Sequence, residues 1–169
     1  MHRRSIIIAL LMAVLLIIPV LAQAAPAGKF TNVEGDVDVT APGQQAVPAR
    51  LGDPVNVGDI IRTKSKSKCE VTFVDGSVLR LAETSRLRVA EFSQEKEQRS
   101  ATLNLFRGKI QNIVKTAAGA AGERSKYEVQ MPTAVTGVRG TNFFAFFQAG
   151  VSGAVFKEGT GYGYSLNRP

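Results

Sequence analysis

Histidine is nearly absent from this chain: the only one is His2, inside a segment that reads as a removable leader. A mature chain without imidazole lacks the general base that Ser-His-Asp and Cys-His catalysis depend on. Cysteine is equally scarce. Cys69 is alone, so no disulfide can form within the chain, and the usual zinc sites lose their nitrogen and sulfur ligands. No GxSxG elbow and no phosphate-binding P-loop occurs. Long helical periodicity is missing too, as is any second apolar run able to span a bilayer; Phe143 to Phe147 is far too short. These absences leave a fold held by apolar burial alone. They predict no catalytic residues, no metal and no cofactor.

The N-terminus carries an export signal. Arg3 and Arg4 precede an apolar run from Ile6 to Ala22, broken only by Pro19 and closed by Ala22-Gln23-Ala24. That small-x-small pattern is what signal peptidase cuts after. Residues 1–24 are read as a signal peptide with a cleaved signal helix, and 25–169 as one domain beginning at Ala25. The alternative is an uncleaved membrane anchor, the one case in which a membrane association is expected. Without the two leader arginines the formal charge of +7 falls to about +5, from 19 basic and 14 acidic side chains. An exported basic domain favours anionic surfaces such as lipid headgroups or cell-wall polymers. Nucleic acid is not an expected partner, because no basic stripe is interleaved with stacking aromatics. The run Arg62 to Lys68 reads as a solvated turn.

Short alternating segments fill the rest. They include Val33 to Val39, Val55 to Val57, Ile60 to Thr63, Cys69 to Phe73, Ser77 to Leu81 and Leu87 to Val89. Leu103 to Phe106, Ile110 to Lys115, Tyr127 to Met131 and Phe143 to Phe147 follow. Gly, Pro, Asp and Asn separate them. The spacing predicts an all-β chain of short antiparallel strands in a twisted sandwich or solenoid-like arrangement. Glu91 to Ala101 is charge-rich and reads as a short exposed helix or an extended hairpin loop. Thr116 to Ser125 is linker-like and is expected to lengthen one hairpin.

One hairpin can be registered from alternation. A two-residue Asp75-Gly76 loop would set Val71 opposite Arg80, placing arginine on the apolar face. A three-residue loop, Val74-Asp75-Gly76, removes the conflict, with Gly76 in the left-handed position of a bulge. Phe73 then faces Ser77, Val71 faces Leu79 and Cys69 faces Leu81. Glu70 and Arg80 pair on the outer side. Cys69 reads as a small buried hydrophobe. Asp53, Asp59 and Asp75 each sit beside Gly or Pro, which is the chemistry of turns; no spacing among them suits calcium.

Three stretches resemble the FecR domain family. Leu51-Gly52-Asp53-Pro54-Val55-Asn56-Val57-Gly58-Asp59-Ile60-Ile61-Arg62-Thr63, continued by CEVTFVDGSVLRL through Leu81, is similar to its "L-x-x-G-D-x-V-x-x-G-D-x-I-x-T … F-x-D-G-S-x-L-x-L" pattern. Leu105-Phe106-Arg107-Gly108-Lys109-Ile110 resembles "L-x-x-G-x-V". Met131-Pro132-Thr133-Ala134-Val135-Thr136-Gly137-Val138-Arg139-Gly140-Thr141-Asn142-Phe143 resembles "T-P-x-A-x-x-x-V-R-G-T-x-F". The motif positions are Gly52, Asp53, Gly58, Asp59, Asp75, Gly76, Gly108, Pro132, Val138, Arg139, Gly140, Thr141 and Phe143. The two Gly-Asp pairs read as tight turns flanking a short strand, Pro54 to Val57. For Arg139 two roles stay open: bracing a bend through backbone carbonyls, or capturing an anionic ligand with its guanidinium.

The resemblance implies an extracytoplasmic all-β domain, periplasmic or secreted. In the best-known members that domain belongs to a transmembrane regulator of iron uptake, which relays a signal from an outer-membrane transporter to a cytoplasmic sigma factor. Here the leader stands first and the chain stops at Pro169, so the expectation is the domain without that circuit. The glycine-rich end, Glu158 to Ser165, reads as a shortened final hairpin. The expected function is an exported, non-enzymatic binding or signalling module that contacts a protein or cell-envelope polymer. A membrane-anchored signal-transduction component is the alternative.

Overall fold

In the computed structural model, residues 25–95, 98–115 and 125–166 are described. The expected leader, 1–24, lies outside them. Fourteen strands form one sheet, and no helix occurs among the described residues. The all-β expectation holds. The arrangement is one continuous sheet, curled like a half-barrel about a long bent strand.

That strand is β9 (Gln98–Ile113), and it belongs to both arms of the sheet. Arm A runs from β4 (Pro54–Val55) through β1 (Gly28–Glu34), β6 (Lys68–Phe73) and β7 (Val78–Leu81) to the second half of β9. It continues to β12 (Asn142–Gln148) and β13 (Val151–Glu158). Arm B runs from β3 (Val47–Pro48) through β2 (Val37–Thr40), β5 (Ile60–Thr63) and β8 (Arg86–Glu95) to the first half of β9. It continues to β10 (Lys126–Gln130), β11 (Ala134–Val138) and β14 (Gly161–Ser165).

Gly108 marks the bend. Its φ is +95°, and a Cβ there would come within 2.6 Å of the Ser85 backbone. The Ser85 hydroxyl accepts a bond from the Lys109 amide at 3.1 Å. Only glycine supplies both the left-handed conformation and the close approach, which explains why the motif demands it.

Apolar faces of the two arms meet inside. Phe73 of β6 stacks on Phe92 of β8, with ring centres 5.1 Å apart. Tyr127 of β10 meets Phe143 of β12 edge-on at 6.4 Å. The Tyr127 hydroxyl donates to Asn112 Oδ1 at 2.8 Å, a polar tie across an otherwise apolar interior. Phe30, Val71, Leu79, Leu81, Ile61, Leu87, Leu103 and Ile110 are fully buried around it.

The hairpin of β6 and β7 has the alternation-derived register: Cys69 opposite Leu81, Glu70 opposite Arg80, Val71 opposite Leu79. The Phe73 amide bonds the Ser77 carbonyl at 2.9 Å, and Gly76 has φ +78°. Arg80 Nε donates to Glu70 Oε2 at 2.7 Å.

Four expectations need correction. Glu91 to Glu95 and Gln98 to Ala101 are neither helix nor loop; they extend β8 and β9, because strand pairing rests on backbone hydrogen bonds that charged residues supply as others do. Thr116 to Ser125, of which 116–124 lie outside the described residues, does not lengthen a hairpin. The strands on either side of it, β9 and β10, pair in parallel, from Lys126 opposite Ser100 to Gln130 opposite Asn104. Parallel neighbours need a crossover connection. The short strand between the Gly-Asp turns stops at Val55, and Val57 is exposed. The glycine-rich end is no hairpin with the strand before it: β14 turns away from β13 and pairs with β11.

Candidate functional site

The motif residues fall into separate structural duties. At the first Gly-Asp turn Gly52 has φ +87°, and Asp53 Oδ2 accepts the Arg50 amide at 2.8 Å. The second repeats the device: Gly58 has φ +95°, and Asp59 Oδ2 accepts the Asn56 amide at 2.8 Å. Val89 then ties the corner from both sides: the Gly58 amide donates to Val89 O at 2.7 Å, and the Val89 amide donates to Asp59 O at 3.0 Å. Asp75 takes the Ser77 amide at 2.8 Å and the Ser77 hydroxyl at 2.9 Å. Each carboxylate closes its own turn.

The VRGT stretch divides differently. Val138 and Phe143 are core residues, and Pro132 is exposed in the bend before β11. Gly140 has φ +63°. Thr141 is buried and its hydroxyl bonds the Thr160 carbonyl at 3.0 Å. Arg139 is exposed, and no described carbonyl accepts a bond from its guanidinium. The bend is permitted by Gly140 and tied by the Thr141 hydroxyl. Arg139, Gly140 and Asp75 do share a cleft with Lys115 and Lys126, but its volume is about 30 Å³, the space of roughly one water.

A larger opening lies elsewhere. A groove of about 480 Å³ separates the start of β13 from β11 and β14. Thr133, Thr136, Ser152, Ser165 and Tyr164 line it with hydroxyls, Val151 and Phe156 with apolar surface, and its described lining holds no charged side chain. The Thr133 and Ser152 hydroxyls meet at 2.6 Å across one end. Of its lining, Val151, Phe156 and Tyr164 are exposed, and Val155 and Tyr162 are exposed elsewhere on β13 and β14.

Aromatic rings laid over glycines shape these last strands. A Cβ on Gly137 would stand 2.2 Å from the Tyr162 ring, one on Gly161 2.4 Å from Phe156, and one on Gly153 2.4 Å from Phe146. The absent side chain of one strand makes the seat for a ring of the next. Tyr162 is further fixed by donating to Glu128 Oε1 at 2.9 Å. Partial burial, then the neighbouring Glu128 carboxylate, raises its ionisation above the ordinary phenol value. Tyr162 and Tyr164 stand parallel, centres 6.5 Å apart. Reading the sequence located the motif turns and missed this groove; the alternation Gly161-Tyr162-Gly163-Tyr164 is its one local trace.

Both strands bordering the groove are sheet edges. Among the described residues β13 pairs only with β12, and β14 only with β11. At the opposite ends of the arms β3 and β4 are two residues each, and each contains a proline, Pro48 and Pro54. Proline has no amide to offer an incoming strand.

A family model described as "FecR protein" matches residues 59–159. No curated protein matches the chain. The crystal structure of a candidate anti-sigma factor from Parabacteroides distasonis ATCC 8503 is 18% identical, with a TM-score of 0.51 over 64% of this chain and 48% of its own. This chain thus spans about half the length of that protein. A solved cell surface anchoring domain is 26% identical, with a TM-score of 0.37 over 38% of this chain and 86% of its own.

Proposed function

The chain belongs to the FecR protein family, and from that premise we propose that it is an exported, non-enzymatic binding and signalling module of the cell envelope, working in the periplasm or beyond it. Its site is the open edge of β13 beside the neutral groove, and its partner is a protein that adds an extended segment to that edge. Strand addition draws affinity from main-chain bonds and specificity from pockets for alternate side chains. The observation that carries this reading is the eight-residue β13, which has no proline and, among the described residues, no strand beyond it. The groove beside it supplies hydroxyls and apolar surface in place of charge. The fold shared with a candidate anti-sigma factor supports a signalling use of the bound segment.

The test is site-specific photocrosslinking in cells. A crosslinker at Val155 or Ser152 is expected to capture one partner through an extended segment. Val155→Lys, which sets a charge on the exposed edge, should abolish capture from Ser152 while costing less than about 0.5 kcal/mol of stability. Equal capture from Leu51, at the far end of the arms, would remove the edge from the proposal. Mass spectrometry of the mature N-terminus should give Ala25; retention of Arg3 would mean the anchored form.

A further inference from the structure

The outward faces of the two arms treat charge in opposite ways. On arm A, Lys68 pairs with Glu34 at 3.0 Å and Arg80 with Glu70 at 2.7 Å. On arm B, arginines stand beside arginines. Arg62 of β5 is the register partner of Arg86 on β8, and Arg86 is the partner of Arg107 on β9. Arg88 lies two residues beyond Arg86 on the same face. All four are exposed. Only Arg62 has a carboxylate, Asp38, which its Nε reaches at 3.1 Å. No described acid forms an ion pair with Arg86, Arg88 or Arg107.

Like charges directly opposite on a sheet are destabilising. A register shift between Arg86 and Leu87 adds to the cluster, since the irregularity turns both Phe106 and Arg107 outward. Phe106 is 41% exposed, and the Arg86 guanidinium lies 5.6 Å from its ring centre. The row crosses three strands, roughly 10 Å at ordinary strand spacing, and sets a large ring beside cations, with Phe106 and Arg107 bordering a groove that Glu83 and Gln148 also line.

We propose that this arginine row of arm B is a docking surface for an anionic phospholipid bilayer. Guanidinium forks match phosphate oxygens, and an aromatic ring set among them suits the boundary between headgroups and acyl chains. A soluble polyanion would satisfy the arginines and leave Phe106 in water, which is why the lipid surface fits better. The row lies on β5, β8 and β9 of arm B and the open edge on β13 of arm A, so the two surfaces use different residues.

The experiment is cosedimentation of the purified protein with vesicles of phosphatidylglycerol and phosphatidylcholine, with pure phosphatidylcholine and soluble heparin as the other arms. Binding is expected on the anionic vesicles, weakening as salt rises. Each arginine near the surface contributes about fivefold, so Arg86→Gln with Arg107→Gln should lower the partition constant roughly 25-fold. Lys157→Gln, on β13, should change it less than twofold. The double variant should fold and melt no lower than the parent, because it relieves repulsion. Equal loss with Lys157→Gln, undiminished binding by the double variant, equal retention on neutral vesicles, or arginine-dependent binding to heparin alone would each overturn the proposal. Val155→Lys leaves this binding intact if the surface is as described, which keeps it distinguishable from the edge site.

Discussion

The two ends of the arms are finished differently. At one end the sheet closes in two-residue strands, β3 and β4, each containing a proline. At the other it stops in β13 and β14, of eight and five residues, without proline. Edge strands are normally shortened or blocked against stray pairing, and this chain applies that treatment only to the first pair. The proposed strand addition rests on this contrast, an open edge retained beside a groove, more than on any single residue.

Three experiments press on the comparison. The largest effect is expected at the joint both ends depend on. Gly108→Ala combines a left-handed backbone with a clash against the Ser85 backbone and should cost about 3 kcal/mol or more, seen as a lower urea midpoint. A neutral outcome would mean that the arms do not need the bend. Next, Tyr127→Phe removes the hydroxyl bonded to Asn112 Oδ1 in the fully buried interior. The Asn112 Nδ2 already lacks a partner, so the amide would be left without a side-chain bond. The expected cost is about 1–3 kcal/mol. Hydrogen exchange should quicken in β10 and β11 before β1 and β6; uniform quickening would show that the two ends are not separable.

The smallest effect concerns the closed side. Burial pushes the Cys69 thiol from 9.0 up to about 12. The folded chain therefore holds a proton that the unfolded chain releases above pH 9. The stability this contributes is complete below that pH and is lost as pH rises towards 12. At pH 8 iodoacetamide should label Cys69 only in denaturant. Prompt labelling of the native protein would contradict the packing of β6 against β7.

Much of the fold could be read locally. The β6–β7 register followed from one constraint, that an arginine cannot share a face with Val71 and Phe73, and Glu70 opposite Arg80 came with it. The Gly-Asp turns were equally legible, because glycine permits the left-handed conformation and aspartate accepts the amide three residues before it. Arg139 was not. Whether a guanidinium braces or reaches outward depends on which carbonyls the fold brings near, and here Thr141 takes the bracing role. The β9–β10 pairing was also out of reach: alternation gives the face of a strand and leaves its neighbour and direction open.

By itself, then, the sequence determined the secondary-structure class, the inward and outward faces, and a core without an internal disulfide, since side-chain alternation and turn chemistry act over a few residues. The tertiary structure decided which strands became edges, that β14 leaves β13 for β11, and that three arginines far apart in the chain stand in one row. Those outcomes depend on long-range pairing across the bend at Gly108, whose register no local stretch of residues encodes.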